Sequence, residues 1–322
     1  MIKKLTLALL LACALMACSK KNDGPNPDEE TPAGLNSTVF YADTFRVYKT
    51  DLTGGKRELV VDEDIKSGNN YIQGLTTIPG KGQVVYSYTT GYLDGSTIRI
   101  VNADGTGKKV IKTIPSGTSI AFIKGVGEQI FYRTSVYSGT DVISKTFTMD
   151  ADGSNEKELT TIPNGGGYIT ETQISSEGKG ILNPGGYFMK LENGIFKEAE
   201  SFYAFKHTDE TDMYDIAISA DATKGAFLYK MSDTKYEIRI KDMSATSSFS
   251  TLYTLNLPAA ASRSVNILWV NGNKNVMVYW GQFTSPQGSP NDYTQCELID
   301  AATGKAVIWK FTGDEIGHIV VD

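Results

Sequence analysis

One phrase recurs along most of this chain, and it constrains the fold more than any other feature. A tight turn leads into a short apolar strand. The copies are PGKGQVVYSY (Pro79–Tyr88), GVGEQIFYR (Gly125–Arg133), SEGKGIL (Ser176–Leu182), ADATKGAFLYK (Ala220–Lys230) and NGNKNVMVYW (Asn271–Trp280). After each come an alternating strand, a hairpin turn and a further strand, as in STIRIVNADGTGKKVIKTI and KTFTMDADGSNEKELTTI. Asp-Gly, Asn-Gly or Thr-Gly mark most of these turns, as tight connections between antiparallel strands require. Tyr86 and Tyr132 lie 46 positions apart, and Tyr229 and Tyr279 lie 50 apart.

Four antiparallel strands repeated at this period describe the blades of a propeller, because one small sheet cannot cover both of its own faces. Such units are expected at 70–114, 118–162, 168–203, 211–257 and 263–312. Thr38 to Asp62 holds only three strands, and one strand, Ile316 to Val321, is left over at the end. The expected fold is therefore all-β: a six-bladed β-propeller over 38–322, with four antiparallel strands per blade. The C-terminal strand would close the ring by joining the N-terminal blade beside Val39–Tyr41. Closure protects strand edges, and it would bury Ile316 and Val320 and leave His318 in polar surroundings.

The phrases NADGTGKKV (Asn102–Val110), DADGSNEKEL (Asp150–Leu159) and SADATKGAFLY (Ser219–Tyr229) resemble the propeller repeats of the TolB-like family. The resemblance covers the chain after residue 37 and implies the same fold. Similar repeats occur in prolyl oligopeptidase-type enzymes and in envelope lipoproteins of the Bacteroidota type. TolB carries a separate domain before its propeller, whereas only the short tether of residues 18–37 is expected before this one. This sequence also lacks the G-x-S-x-G elbow of an α/β-hydrolase. Neither a Tol–Pal role nor peptidase chemistry follows from the repeats.

The first residues read as a targeting segment. Lys3 and Lys4 precede the apolar run Leu5–Ala17, which is too short to span a bilayer. Leu15-Met16-Ala17-Cys18 resembles a bacterial lipobox. Residues 1–17 are thus expected to be a lipoprotein signal peptide and Cys18 the lipid attachment site. Ser19 fits sorting to the outer membrane. Residues 18–37, rich in charge and proline, form the expected disordered tether.

The chain offers little for catalysis. Asp150 to Glu156 looks like a calcium loop but lacks the EF-hand spacing and reads as a hairpin turn. The histidines are His207, in the acidic stretch KHTDETD, and His318, on the expected innermost strand where it can face the central channel. They are not spaced as a metal set, so no metal site and no cofactor is expected. Cys296 shares a strand face with Thr294 and Leu298 and reads as a buried thiol. The net charge of −6, with both signs interspersed, gives no basic patch for nucleic acid.

Aromatic residues near the second-to-third strand connections are the better candidates for contact. These are Tyr88, Tyr92, Tyr137, Trp280, Phe283 and Tyr293, the last three around the long loop Gly281–Asp292. Exposed aromatic rings suit sugars, peptides or a protein partner. With His207 and His318, this set forms the expected ligand or partner surface. The expectation is a monomeric, lipid-anchored outer-membrane propeller that binds or scaffolds a protein or glycan. The alternative is a lyase or hydrolase acting on a polysaccharide at the channel face.

Overall fold

The structure is a computed structural model. It describes residues 37–51, 56–63, 70–89, 95–138, 141–159, 173–183, 187–192, 195–201, 213–244, 248–257, 263–282, 291–310 and 318–321. These residues form antiparallel strands arranged in six sheets.

The first sheet contains β1 (Thr38–Ala42), β2 (Arg46–Asp51) and β3 (Glu58–Asp62). The second runs β4 (Tyr71–Ile78), β5 (Gln83–Thr89), β6 (Ser96–Asn102) and β7 (Lys109–Ile114). The third is β8 (Thr118–Val126), β9 (Gln129–Ser138), β10 (Asp141–Asp150) and β11 (Lys157–Glu158). The fourth has β12 (Gly180–Asn183), β13 (Tyr187–Glu192) and β14 (Ile195–Ser201). An isolated bridge from Ile174 to Ile181 stands where its innermost strand was expected. The fifth is β15 (Met213–Ile218), β16 (Lys224–Lys230), β17 (Lys235–Asp242) and β18 (Ser250–Asn256). The sixth is β19 (Arg263–Val270), β20 (Asn275–Gln282), β21 (Asn291–Asp300) and β22 (Ala306–Lys310).

The last strand, β23 (His318–Val321), returns to the first sheet. It pairs antiparallel with β1, placing Val39 opposite Val321 and Ala42 opposite His318. Ile316 lies outside the described residues. Val320 is half-buried rather than buried, because this strand borders a cavity lined also by β4, β15 and β19.

Both faces of the inner strands are covered, so their burial is nearly continuous rather than alternating, as along β5 and β16. Each apolar cluster lies between two consecutive sheets. Phe40 and Val47 meet Tyr86 and Val101, and Ile98 and Ile100 meet Ile123 and Tyr132. Phe131 meets Ile181, and Phe188 meets Phe227. Leu228 and Ile238 meet Val278 and Ile299. Leu268 and Leu298, on the sixth sheet, meet Val39 and Tyr41 on the first.

The repeated turn phrase has a local cause and a long-range one. Asp152 Oδ1 accepts from the Ser154 amide at 2.8 Å and from its hydroxyl at 2.6 Å. Asp104 holds Thr106 the same way at 2.9 and 2.6 Å, and Asp221 holds Thr223 at 3.0 and 2.8 Å. These Asx turns fix the chain reversal. Between Asp152 and Ser154, Gly153 sits at φ 91°. A β-carbon there would lie 2.3 Å from the carbonyl oxygen of Ile111 on β7, in the preceding sheet. Gly105 and Gly304 press in the same way on Val60 and Leu252, each in the preceding sheet. The Asp-Gly phrase is therefore an inter-sheet contact as well as a turn. Asp150–Glu156 is such a turn, its ends closed by a bond from Asp150 N–H to Ser154 O at 2.9 Å.

Candidate functional site

The described cavity with the broadest lining lies where the inner strands converge. It measures about 260 Å³. Every sheet contributes: Thr76 and Thr77 from β4, Lys124 from β8, Ile174 from the fourth sheet, Ile218 from β15, Leu268 from β19 and Ile319 from β23. The wall is mainly branched aliphatic side chains and threonines. Among the described lining residues Lys124 is the one charged group, and no carboxylate takes part.

The cavity opens beside the turns that join the first and second strands of the second, fourth, fifth and sixth sheets, where Pro79, Gly80, Ser176, Ala220, Asn271 and Asn273 form a small, neutral rim. Backbone groups tie these turns into a chain. Gly127 N–H donates to Ser176 O at 2.7 Å, and Glu177 N–H donates to Ala220 O at 3.1 Å. Ala220 N–H donates to Asn273 Oδ1 at 2.6 Å. On the solvent side, Lys81 pairs with Glu128 at 2.7 Å. Deeper in, Gly125 N–H donates to Thr76 Oγ1 at 2.8 Å. The rim is thus linked from sheet to sheet, and its shape is set by backbone geometry.

Charged groups gather elsewhere, between sheets, and hold one another. Glu63, 6% exposed, accepts from the Tyr86 hydroxyl and from Arg99 Nη1 at 2.7 Å, with Lys108 Nζ at 3.5 Å. Burial first, and then the bond to Glu63, push the Tyr86 hydroxyl far above the usual phenol range. Glu156 repeats the arrangement, accepting from Tyr132 and from Lys112 Nζ at 2.7 Å. Burial opposes its charge, but the bonds from Lys112 and Tyr132 prevail and hold it below its ordinary value. These are polar clamps with their partners in place, unlike a reacting pair that is poised for exchange.

The sequence-predicted residues scatter. Cys18, Tyr92, His207 and Phe283 lie outside the described residues. Tyr137 lies on β9 opposite Val142, and Tyr293 on β21 opposite Gly281. Both stand at the strand ends that lead to the second-to-third connections, the end opposite the rim just described. Tyr88 is buried against Ile72 and lies under Arg99, 4.5 Å from guanidinium carbon to ring centroid. Trp280 corrects the expectation of an exposed platform. It is 9% exposed and packs with Val278, Leu255 and Ile299 between the fifth and sixth sheets. Its strand parity turns it inward with Val276 and Val278. His318 is half-buried on β23, and the cavity takes Ile319, Val320 and Val321 from that strand. Cys296 is fully buried, with its thiol pushed up by burial, as the sequence implied.

Sequence reasoning missed Thr76, Lys124, Asn271 and Asn273. The turn phrases that carry or adjoin them were legible, but not that all of them meet at one mouth.

No family model and no curated protein sequence matches this chain. Solved structures do. TolB from Acinetobacter baumannii is similar with a TM-score of 0.59 at 13% identity, over 89% of this chain and 67% of that one. A chain of the nidogen/laminin complex is similar with a TM-score of 0.54 at 12% identity, over 88% and 98%. A putative 6-phosphogluconolactonase from Bacteroides fragilis gives 0.50 at 11% identity, over 90% and 99%. At such identities the likeness carries the fold alone. The chain is an all-β protein with the β-propeller fold also seen in TolB.

Proposed function

We propose that the six sheets are the blades of a closed six-bladed ring, and that this ring is a non-catalytic binding or scaffold module held in the bacterial envelope by a lipid on Cys18. The partner is an envelope protein or a glycan. One observation carries the reading: every sheet contributes to a cavity whose wall holds no carboxylate among the described residues and whose rim is small, neutral and tied by hydrogen bonds from backbone amides. Such a mouth offers shape and hydrogen bonding rather than proton transfer, which needs positioned acid and base groups. The pairing of β23 with β1 and the apolar cluster between the sixth and first sheets support closure.

The reading is tested in two steps. Cys18→Ala should move the protein from the membrane fraction to the soluble fraction; retention in the membrane would remove the anchor from the proposal. A photo-crosslinking residue at Asn273, in intact cells, should give a discrete adduct that is absent when the same residue replaces exposed Lys109. Equal labelling at both positions would show that the rim is not a contact surface.

A further inference from the structure

The interface between the fifth and sixth sheets contains a group that the rest of its surroundings do not suit. Glu297 lies on β21, between Val278 on β20 and Ile308 on β22 in the strand pairing. It is 6% exposed. Tyr253, on β18 of the fifth sheet, packs against the same cluster, and its hydroxyl acts on the Glu297 charge across the interface. Its second oxygen, Oε2, is buried and meets no donor among the described residues. The cluster there is apolar, with Leu255, Ile299 and Trp280. Glu63 and Glu156 each have a cation as well as a tyrosine, whereas Glu297 meets no cation among the described residues.

We propose that the Tyr253–Glu297 contact is a proton-operated joint between the fifth and sixth sheets. A proton taken from solvent onto Glu297 leaves a neutral carboxyl that the apolar enclosure accepts, and the sheets seat tightly. Loss of that proton leaves a charge with one donor in a poorly hydrated site, and the interface loosens around it. Burial raises the ionisation of Glu297 above the ordinary carboxylate range, and the Tyr253 bond partly opposes this. The Tyr253 hydroxyl is itself pushed up to about 12, so it remains a donor throughout.

The other titratable groups on these elements are accounted for. Cys296 points to the opposite face, toward the first sheet. Glu237 and Arg239 on β17 bond to each other at 2.6 Å, with Arg239 over Tyr229 on the side of the fourth sheet. Asp215 on β15 also crosses the interface, where Oδ2 accepts from Ile267 N–H at 2.9 Å. The joint reaches the cavity because β19, on the same sheet as Glu297, supplies Leu268 to its wall. It does not depend on what the cavity binds.

The chain carries its own reporter. All three tryptophans, at 269, 280 and 309, lie on strands of the sixth sheet. Trp269 Nε1 donates to Ala217 O across the same interface at 3.2 Å. Tryptophan emission of the full chain should therefore titrate with pH, with a midpoint above the ordinary carboxylate range. In Glu297→Gln that transition should disappear. In Tyr253→Phe, which removes the donor that favours the charged form, the midpoint should move to higher pH. A flat wild-type profile, or a transition unchanged in Glu297→Gln, overturns the proposal. If the glutamine variant does not fold, an unmoved midpoint in Tyr253→Phe overturns it equally, since the transition would then belong to a group outside this contact.

Discussion

Gly125 on β8 lies against Thr77 on β4 so closely that a β-carbon at position 125 would sit 1.7 Å from the Thr77 carbonyl oxygen. No side-chain rotation relieves a clash with backbone. Two inner strands from neighbouring sheets meet here, and the Gly125 amide is bonded to Thr76 at the same point. Gly125→Ala should therefore force β4 and β8 apart and cost about 3 kcal/mol, the upper part of the usual range for overpacking. Urea denaturation measures it. A loss below about 1 kcal/mol would mean that the strands are not in this contact.

Trp280→Ala should behave as a core substitution. The side chain is buried between the fifth and sixth sheets, so the expected loss is about 3–5 kcal/mol. A variant that melts at the wild-type temperature but loses partner binding would return Trp280 to the exposed surface first expected of it.

That residue shows where the sequence was legible and where it was not. The sheets could be read because turns need particular residues, Asp and Gly above all, and these recur at a fixed period. The partnership of β1 with β23 could be read because one blade lacked a strand and one strand lacked a blade. Exposure could not be read along β20, because both of its faces are covered: Val276, Val278 and Trp280 face the fifth sheet, while Met277 and Tyr279 face the first. Alternation reveals a solvent face only when there is one. The burial of Glu297 has the same cause, since its strand face is covered by the fifth sheet. The contact of Gly125 with Thr77 depends on the backbone of another sheet, which no local pattern records.

Removing residues 318–322 should unseat the first sheet. Ile319 and Val321 pack on the cluster shared with the sixth sheet, and Val320 on the one shared with the second. Three half-buried aliphatic side chains contribute about 1 kcal/mol each, and the exposed edge of β1 would invite association. The expected result is a lower melting temperature and oligomers in size-exclusion chromatography. A monomer of wild-type stability would show that β23 is dispensable and would count against ring closure.

Acid should act on two glutamates in opposite senses. Glu297 is raised in the folded state, so the folded protein holds its proton more readily than the unfolded chain. Its contribution is fully present below the unfolded value and is lost as pH rises through the folded one. Glu156 is lowered, so its contribution is present above the unfolded value and is lost as pH falls through the folded one. Glu297→Gln should accordingly raise the melting temperature near pH 7 by about 2–4 °C, the shift that ~1 kcal/mol gives a large domain. Glu156→Gln should lower it there. Calorimetry at a series of pH values separates them, and identical shifts for both variants would contradict these assignments.

The pairing of Val39 with Val321 also sets a schedule. The two residues are about 280 positions apart, so the first strand emerges long before its partner exists. At a synthesis rate of about 5–20 residues per second, β1 waits roughly 15–60 seconds with an open edge. Contacts this distant in sequence also slow folding after release, because a long loop must close before they form. Among the described strands, the one that completes the first sheet is made last, so the first sheet stays open longer during synthesis than any other described here.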